Sequence, residues 1–293
     1  MSSSIYLKPL KQVLRHLPDR AYIQLYYFAK FGKFCNLRNP STFNEKLQWL
    51  KLNYRIISDQ KLVDKSEVKQ IVEQKIGKEY IVPTLALYDN AEQIDFSSLP
   101  DSFVLKCTHD SEGVVIVEDK KDLDLDAARE KLRRALKQNF YPIGREPHYR
   151  DLEPKIIAEP YLKDEVHGQL LDYKFFCFDG EVKAMFVASD RVSGNTKFDY
   201  FDADYHPLEM QQAYPNSSSR PSKPQRYQEM LDISRILSAG HPHVRVDLYE
   251  VNGRVYFGEL TFFHFSGFSP FKPKEWDQRW GDLISLPVAR VEY

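Results

Sequence analysis

Cysteine is scarce in this 293-residue sequence, which contains only Cys35, Cys107 and Cys177. Their odd number and wide spacing exclude a disulfide framework and a zinc site, so they read as reduced, buried small hydrophobes. A surplus of either charge is also missing. With 41 basic and 42 acidic side chains the formal net charge is −1, and nothing in that balance points to nucleic acid. No apolar run approaches the roughly 20 residues of a membrane span, because stretches such as Lys174 to Phe178 with its neighbours are short and broken by charge. The N-terminus, Met1 to Lys8, lacks the basic segment, apolar core and small-residue cleavage site of an export signal, which points to a cytoplasmic protein. There is no GxxxxGK[ST] phosphate loop and no serine or cysteine triad.

What is present describes a globular chain long enough for two lobes, with 42% hydrophobic and 28% charged residues. The first sixty residues read as helices. Leu10, Val13, Leu14 and Leu17 recur at helical spacing, then Leu25, Phe28 and Ala29, and Phe43 to Lys51 forms an amphipathic helix opened by Ser41 or Thr42. Asp64, three residues before Glu67, caps a helix that includes Lys65 and carries Val68, Ile71, Val72 and Ile76 on one face before Gly77 ends it. Strands are expected at 80–85, 103–107, 114–117 and 155–159, with a helix over 124–139. A hairpin of 171–178 and 181–188 turns at Asp179-Gly180, and a helix near 228–239 follows a polar loop at 216–225. That loop and the stretch 143–153 are expected to be the mobile segments.

The most informative stretch is near the C-terminus. Val244 to Glu250 alternates strictly and meets Val255 to Thr261 across an Asn252-Gly253 turn, the strongest short-range hairpin signal. Alternation places Arg245, Asp247 and Tyr249 on one face and Val244, Val246 and Leu248 on the other. Asp247 and Glu259 on paired strands would repel in a cleft unless a divalent cation lay between them, which suggests magnesium with a phosphate. An ion pair of Arg245 with either acid on a solvated sheet face explains the same residues.

Three further segments carry candidate chemistry. Lys106 ends an apolar strand before the polar loop Cys107 to Gly113, where its charge can reach a phosphate while loop amides and Ser111 complete the grip; an ordinary strand-end lysine looks the same. Glu159-Pro160-Tyr161-Leu162 follows an apolar strand and can act as a hinge against a flat heterocycle, with Pro160 offering only its carbonyl. Asp172-Tyr173-Lys174 sets an acid and a base on one strand face, as ribose and phosphate contacts or as a plain ion pair.

In this order, Asp64-Lys65, Phe103-Val104-Leu105-Lys106 with its loop, Glu159 to Leu162, Asp172 to Gly180, Arg245-x-Asp247 and Gly258-Glu259-Leu260-Thr261-Phe262 resemble the ATP-grasp enzymes. Within these, the sequence looks most like the TupA-like branch associated with bacterial surface polysaccharide synthesis. The resemblance runs from about Phe43 to the end. It implies an α/β (α+β) ATP-grasp fold, two α+β lobes gripping ATP, behind an N-terminal helical region at 1–60. The catalytic domain would span 61–293, with a first lobe of about 61–158 and a second of about 159–293. It further implies that Lys65, Lys106 and Ser111 contact ATP phosphates, that Glu159, Pro160, Tyr161 and Leu162 line the adenine site with the Pro160 and Leu162 backbones at its edge, and that Asp172 takes the ribose. Arg245 and Lys174 are the implied catalytic cations, and Asp247, Glu259 and Thr261 the ligands of one or two Mg2+ ions. Thr261 stands where many ATP-grasp enzymes have asparagine, and Glu112 where glycine is usual.

The implied activity is an ATP-dependent carboxylate–amine ligase. It would join an amine to a carboxylate on a saccharide or uronic-acid precursor through an acyl phosphate, with a peripheral encounter at a lipid-linked saccharide also compatible. Three other functions fit the residues. Asp202-Ala203-Asp204 can serve as the DxD metal site of a glycosyltransferase, a saccharide kinase would share the same ATP site, and Thr261 with Glu112 fits a weakly active nucleotide-binding subunit. Phe262 to Phe268, with Arg191 and the loop 193–197, reads either as a sugar-stacking platform or as core packing. His109 and His264 receive no catalytic role.

Overall fold

Helix formation near the N-terminus begins with local capping. Thr42 opens helix α2 (Phe43–Asn53) as a full capping box, its side chain accepting from Glu45 N while the Glu45 carboxylate accepts from the Thr42 backbone. In the computed structural model, residues 11, 13–54, 60–110, 113–165, 170–190 and 194–287 are described, so Ser111, Glu112, Arg191 and Ser193 lie outside the described residues. The preceding helix α1 (Asp19–Phe31) buries Tyr22, Ile23, Tyr26 and Tyr27. The face expected from the sequence is therefore wrong: Leu25 and Phe28 are 44% and 48% exposed, because Tyr22, Ile23, Tyr26 and Tyr27 form the buried stripe, in one core cluster with Phe268 and Leu14. Val13, expected on an apolar face, is likewise exposed.

Helix α3 spans Glu67–Ile76. Asp64 accepts the N–H groups of Ser66 and Glu67 at 2.8 and 3.0 Å, so the helix starts after Lys65, which lies in the preceding turn and not in the helix as expected. The strand expected at 80–85 is also displaced. A short 3-10 turn at Lys78–Tyr80 precedes extended chain, and strand β1 is Ala86–Tyr88. Pro83, which has no N–H to give a ladder, lies in the intervening segment.

Two antiparallel sheets follow. The first has the order β1-β4-β2-β3, with β2 Phe103–Cys107, β3 Val114–Val117 and β4 Ile156–Pro160. Helix α4 (Leu125–Leu136), capped by Asp124, presses Ala128, Leu132 and Ala135 onto Phe103, Leu105, Cys107, Ile156 and Ala158. The second sheet has the order β10-β9-β5-β6-β7. Its strands are β5 Asp172–Phe178, β6 Glu181–Ser189, β7 Lys197–Asp202, β9 Val244–Val251 and β10 Arg254–Thr261, with the two-residue β8 (Gln211–Gln212) pairing outside it with β11 (Phe271–Lys272). The expected hairpins around Asp179-Gly180 and Asn252-Gly253 both form.

A short helix α5 (Tyr141–Gly144) precedes β4, helix α6 (Tyr227–Ser238) lies against β5, β6 and β9, and helix α7 (Glu275–Asp282) packs on α2. The main core joins these to Phe43, Leu47 and Leu50 of α2 and to Val68 and Val72 of α3. All three cysteines are free and buried. The two segments expected to be mobile carry buried or bonded residues. His148 and Arg145 are buried, and Asn216 donates to Phe198 O and Met210 O at 2.8 and 3.2 Å. Among the described residues no helix is long and apolar enough to cross a membrane.

Candidate active site

The charged residues of β5, β9 and β10 meet because of register. Lys174 stands opposite Asp247, and Asp247 opposite Glu259, so three neighbouring strands bring a base and two acids into one row. Strict alternation along β10 would have turned Glu259 the other way, toward Val246. Between Phe257 and Glu259 the register shifts, leaving Gly258 as the extra residue of a bulge and moving Glu259 and Thr261 onto the face of Arg245 and Asp247. The signal was in the sequence: the apolar positions 255 and 257 resume at 260 and 262. A Cβ on Gly258 would stand 3.0 Å from both Asp247 O and the Tyr249 ring. Gly258→Ala is therefore expected to shift the Asp247–Glu259 pairing and lower activity about tenfold, for a stability loss near 1 kcal/mol. Turnover beside a urea titration checks it.

Arg245 is the hub of the row. It holds Asp247 with two bonds of 2.7 Å, one from Nε and one from Nη2; Nη2 also reaches Thr261 Oγ1 at 2.9 Å and Glu259 Oε1 at 3.4 Å. Lys174 bonds both Asp247 and Asp172, the latter at 2.6 Å. The Arg245–Asp247 ion pair foreseen for a solvated face is thus real, but it is buried, with Asp247 0% exposed. Burial alone would raise the Glu259 carboxyl, but Lys65, Lys174 and Arg245 outweigh it and bring it down to about 2. Burial likewise disfavours charge on Arg245, and Asp247 and Glu259 more than compensate, leaving it firmly protonated.

His264 completes the hub. Arg245 can only donate, so His264 Nδ1 accepts from its Nη1 at 2.7 Å, and Nε2–H faces Gln212 Oε1 at 3.0 Å. Burial and the Arg245 charge hold the imidazole well below its usual pKa, so it is a neutral acceptor. Neither His264 nor Gln212 had been assigned this role, since nothing in their sequence spacing links them.

A cleft of about 540 Å³ opens over this row. Lys65, Lys174, Arg245, Glu259 and Thr261 line it, together with Phe186, Phe198, Phe263 and Phe265 among others. Lys65 Nζ lies 3.8 Å from Glu259 and donates to Asp110 O at 2.5 Å. Phe265, Ser266 and Gly267 are three consecutive residues in the left-handed region. Such a turn is costly for non-glycine residues, about 1–3 kcal/mol each. It is pinned by α2: Gln48 donates to Ser266 O and Gly267 O at 3.0 and 2.7 Å, and Lys51 to Ser266 O at 2.6 Å. Phe263 and Phe265 line the cleft, Phe263 from within the same core as Phe262.

A second charged group sits on the four-stranded sheet. Glu159, expected at a hinge, is buried and bridges two lysines, Lys106 at 2.6 Å and Lys69 at 2.5 Å. Lys69 was overlooked, since nothing in its sequence spacing links it to Glu159. Burial by itself would raise the Glu159 carboxyl, and the two ammonium groups hold it lowered. Their contribution is fully present above the ordinary glutamate value of about 4.3 and is lost as pH falls through the lower folded value. Glu159→Gln is expected to cost about 3 kcal/mol at neutral pH, with the difference from wild type shrinking below pH 4; urea titrations across that range measure it. Pro160 ends β4 opposite Phe103, and Tyr161 and Leu162 continue it as extended chain. Asp202 and Asp204 lie outside the cleft, in an exposed turn where Asp202 accepts from the Asp204 and His206 N–H groups at 2.9 and 2.8 Å. Their oxygens and a His206 nitrogen fall within 4.8 Å of one another.

The family sequence model described as TupA-like ATPgrasp matches residues 45–285. The chain belongs to the TupA-like ATP-grasp family. No curated protein matches it. Among solved structures, D-alanine–D-alanine ligase from Bacillus anthracis complexed with ATP is similar at a TM-score of 0.42 and 15% identity, over 71% of this chain and 55% of that one. An ATP-grasp RimK domain protein from Sphaerobacter thermophilus gives 0.42 and 12%, over 79% and 70%, and D-alanine–D-alanine ligase from Helicobacter pylori 0.42 and 14%, over 84% and 70%. The chain thus spans about half the length of the Bacillus ligase. The family match starts inside α2, the helix that pins the left-handed turn.

The donors over the row fit magnesium. Glu259, whose side chain is 33% exposed, offers the cleft a carboxylate that stays ionised, Asp247 lies directly behind it, and Thr261 adds a hydroxyl. All are hard oxygen donors, and magnesium needs only one or two carboxylates when phosphates and water complete its shell.

Proposed function

We propose that this protein is an ATP-dependent carboxylate–amine ligase. Its product would be an amide on a saccharide or uronic-acid-containing precursor of a bacterial surface polysaccharide. The observation that carries this reading is the cleft wall of Lys65, Lys174 and Arg245 beside the permanently ionised Glu259. Phosphoryl transfer asks a protein for positioning and charge neutralisation, and this wall supplies both without any nucleophilic side chain. Family membership and the antiparallel two-sheet architecture support it.

On this reading a substrate carboxylate oxygen attacks the γ-phosphorus of ATP and ADP departs. The amine, its ammonium proton released to solvent, then attacks the acyl carbon of the resulting acyl phosphate with its lone pair; inorganic phosphate leaves with the C–O bonding pair, and the second N–H proton passes to solvent. Arg245 and Lys174 face the phosphoryl group in flight, each kept in place by Asp247. Lys65, Lys106 and Ser111 hold the phosphates, with Glu159 positioning Lys106. Glu159 to Leu162 border the adenine, and Asp172 takes the ribose. Glu259, Asp247 and Thr261 would hold one or two magnesium ions, which supply Lewis-acid charge neutralisation on the phosphate oxygens. Residues 61–293 form the catalytic unit, with lobes meeting near 158–159, behind the helical region 1–60.

The test is an ADP-release screen of uronic acids and their nucleotide-linked forms crossed with amino acids and simple amines. ADP release should require both partners. Release with a hydroxyl acceptor alone would replace the ligase with a kinase.

A further inference from the structure

One acid in the cleft has no part in holding ATP. Glu146, just before the 3-10 turn Pro147–Tyr149, lines the cleft together with Phe140, Tyr149, Phe263 and Phe265. Its Oε1 accepts the Ser266 hydroxyl at 2.5 Å, and Oε2 lies 3.3 Å from His148 Nε2. Gly144 keeps the space beside it open, since a Cβ there would stand 2.9 Å from both Glu146 Oε1 and Ser266 Oγ. Burial would raise this carboxyl, but His148, Lys51 and Ser266 together hold it lowered, so it is an anion at neutral pH.

No lysine or arginine touches that anion among the described residues. Lys51, a buried ammonium close to it, spends its three N–H groups on Gln48 Oε1, Gly144 O and Ser266 O at 3.0, 2.7 and 2.6 Å. Among the described residues His148 is the one ion-pair partner of Glu146. A carboxylate that lines the cleft, stays ionised and has no lysine or arginine in contact can take an ammonium group from the cleft as a further partner. Aromatic rings that line the same cleft favour a cation, because their faces attract positive charge. Lys65, Lys174 and Arg245 also line it and favour anions. The cleft thus offers groups for both charges.

We propose that Glu146 is the recognition site for the ammonium group of the amine substrate, in the same cleft as the phosphoryl-binding cations. The proposal rests on the ligase reading for the identity of that amine as a substrate, but the site itself is testable without turnover.

The experiment compares the full-length chain with two probes of equal shape, 2-phenylethylammonium and 2-phenylethanol, by ligand-observed NMR titration. Wild type is expected to bind the ammonium about tenfold more tightly than the alcohol. Glu146→Gln, which keeps the shape and the Ser266 hydrogen bond, should reduce that preference to below about twofold. Ser266→Ala removes the hydrogen bond and keeps the charge, so it should retain the preference. Equal binding of the two probes by wild type, or a preference that survives Glu146→Gln, overturns the site; the first of these needs no variant to fold. The acid–amine ADP-release screen is run in parallel. An ammonium preference that depends on Glu146, without ADP release from any acid–amine pair, would sink the ligase reading and leave an ammonium site standing.

Discussion

Glu259→Gln is expected to lower magnesium-dependent ATP turnover by about a hundredfold or more while leaving metal-free ATP binding no weaker. Of the two acids in the row, Glu259 lines the cleft, whereas Asp247 is fully buried behind it and bonded to Arg245 and Lys174. Its carboxyl, held down to about 2, is ionised at any working pH. Glutamine keeps the shape and removes the charge, so a hard cation loses its main protein ligand. The cationic wall meanwhile gains net positive charge, which favours a free triphosphate. The two effects have opposite signs, and this separates a metal ligand from a structural acid. Calorimetric titration of ATP in chelator, followed by ADP release across a magnesium series, checks both. Parallel loss of nucleotide binding and turnover would remove Glu259 from the metal site.

Arg245→Met is expected to destabilise the protein by about 3–5 kcal/mol, the largest stability effect of any single change in the row. The guanidinium reaches Asp247, Thr261, Glu259 and His264 from a buried position, and its removal leaves Asp247 with Lys174 as its remaining cation. An underpaired buried carboxylate is the source of the cost, so the double variant Arg245→Met with Asp247→Leu should recover more than half of the loss. Arg245→Lys is no remedy, because an ammonium cannot make the two parallel bonds to Asp247 and also reach His264. Urea unfolding of the single and double variants decides it. Equal stabilities of Arg245→Met and wild type would show that the row is solvated after all.

Much of this architecture was legible before folding. Alternation in Val244–Glu250 placed Arg245 and Asp247 on one face, the Asn252-Gly253 turn fixed the hairpin, and Asp64 and Thr42 announced the starts of two helices. The order of charged segments pointed to the family that the match over 45–285 then established. Faces were harder to read. The apolar positions of α1 fit two overlapping stripes, and only contact with Phe268 selects the one carrying Tyr22, Ile23, Tyr26 and Tyr27. The start of α3 moved past Lys65 because side-chain capping by Asp64, rather than apolar periodicity, decides where the first turn begins.

By itself, the sequence determined the elements, the hairpins, the family and the set of charges available, because propensity, alternation and turn chemistry act over a few residues. Which charges touch was decided by tertiary structure. The bulge at Gly258 turned Glu259 and Thr261 toward Asp247, and the bridge from Glu159 to Lys69 and Lys106 needed α3 to bring Lys69 within 2.5 Å of a β4 residue ninety positions on. The left-handed turn at Phe265–Gly267 exists because Gln48 and Lys51, more than two hundred residues upstream, supply its carbonyls with donors. Glu146 became a cleft anion with no lysine or arginine in contact only when folding spent the hydrogen bonds of Lys51 elsewhere. Burial and pairing set the energy of a charge, and both are properties of neighbours that chain order does not list.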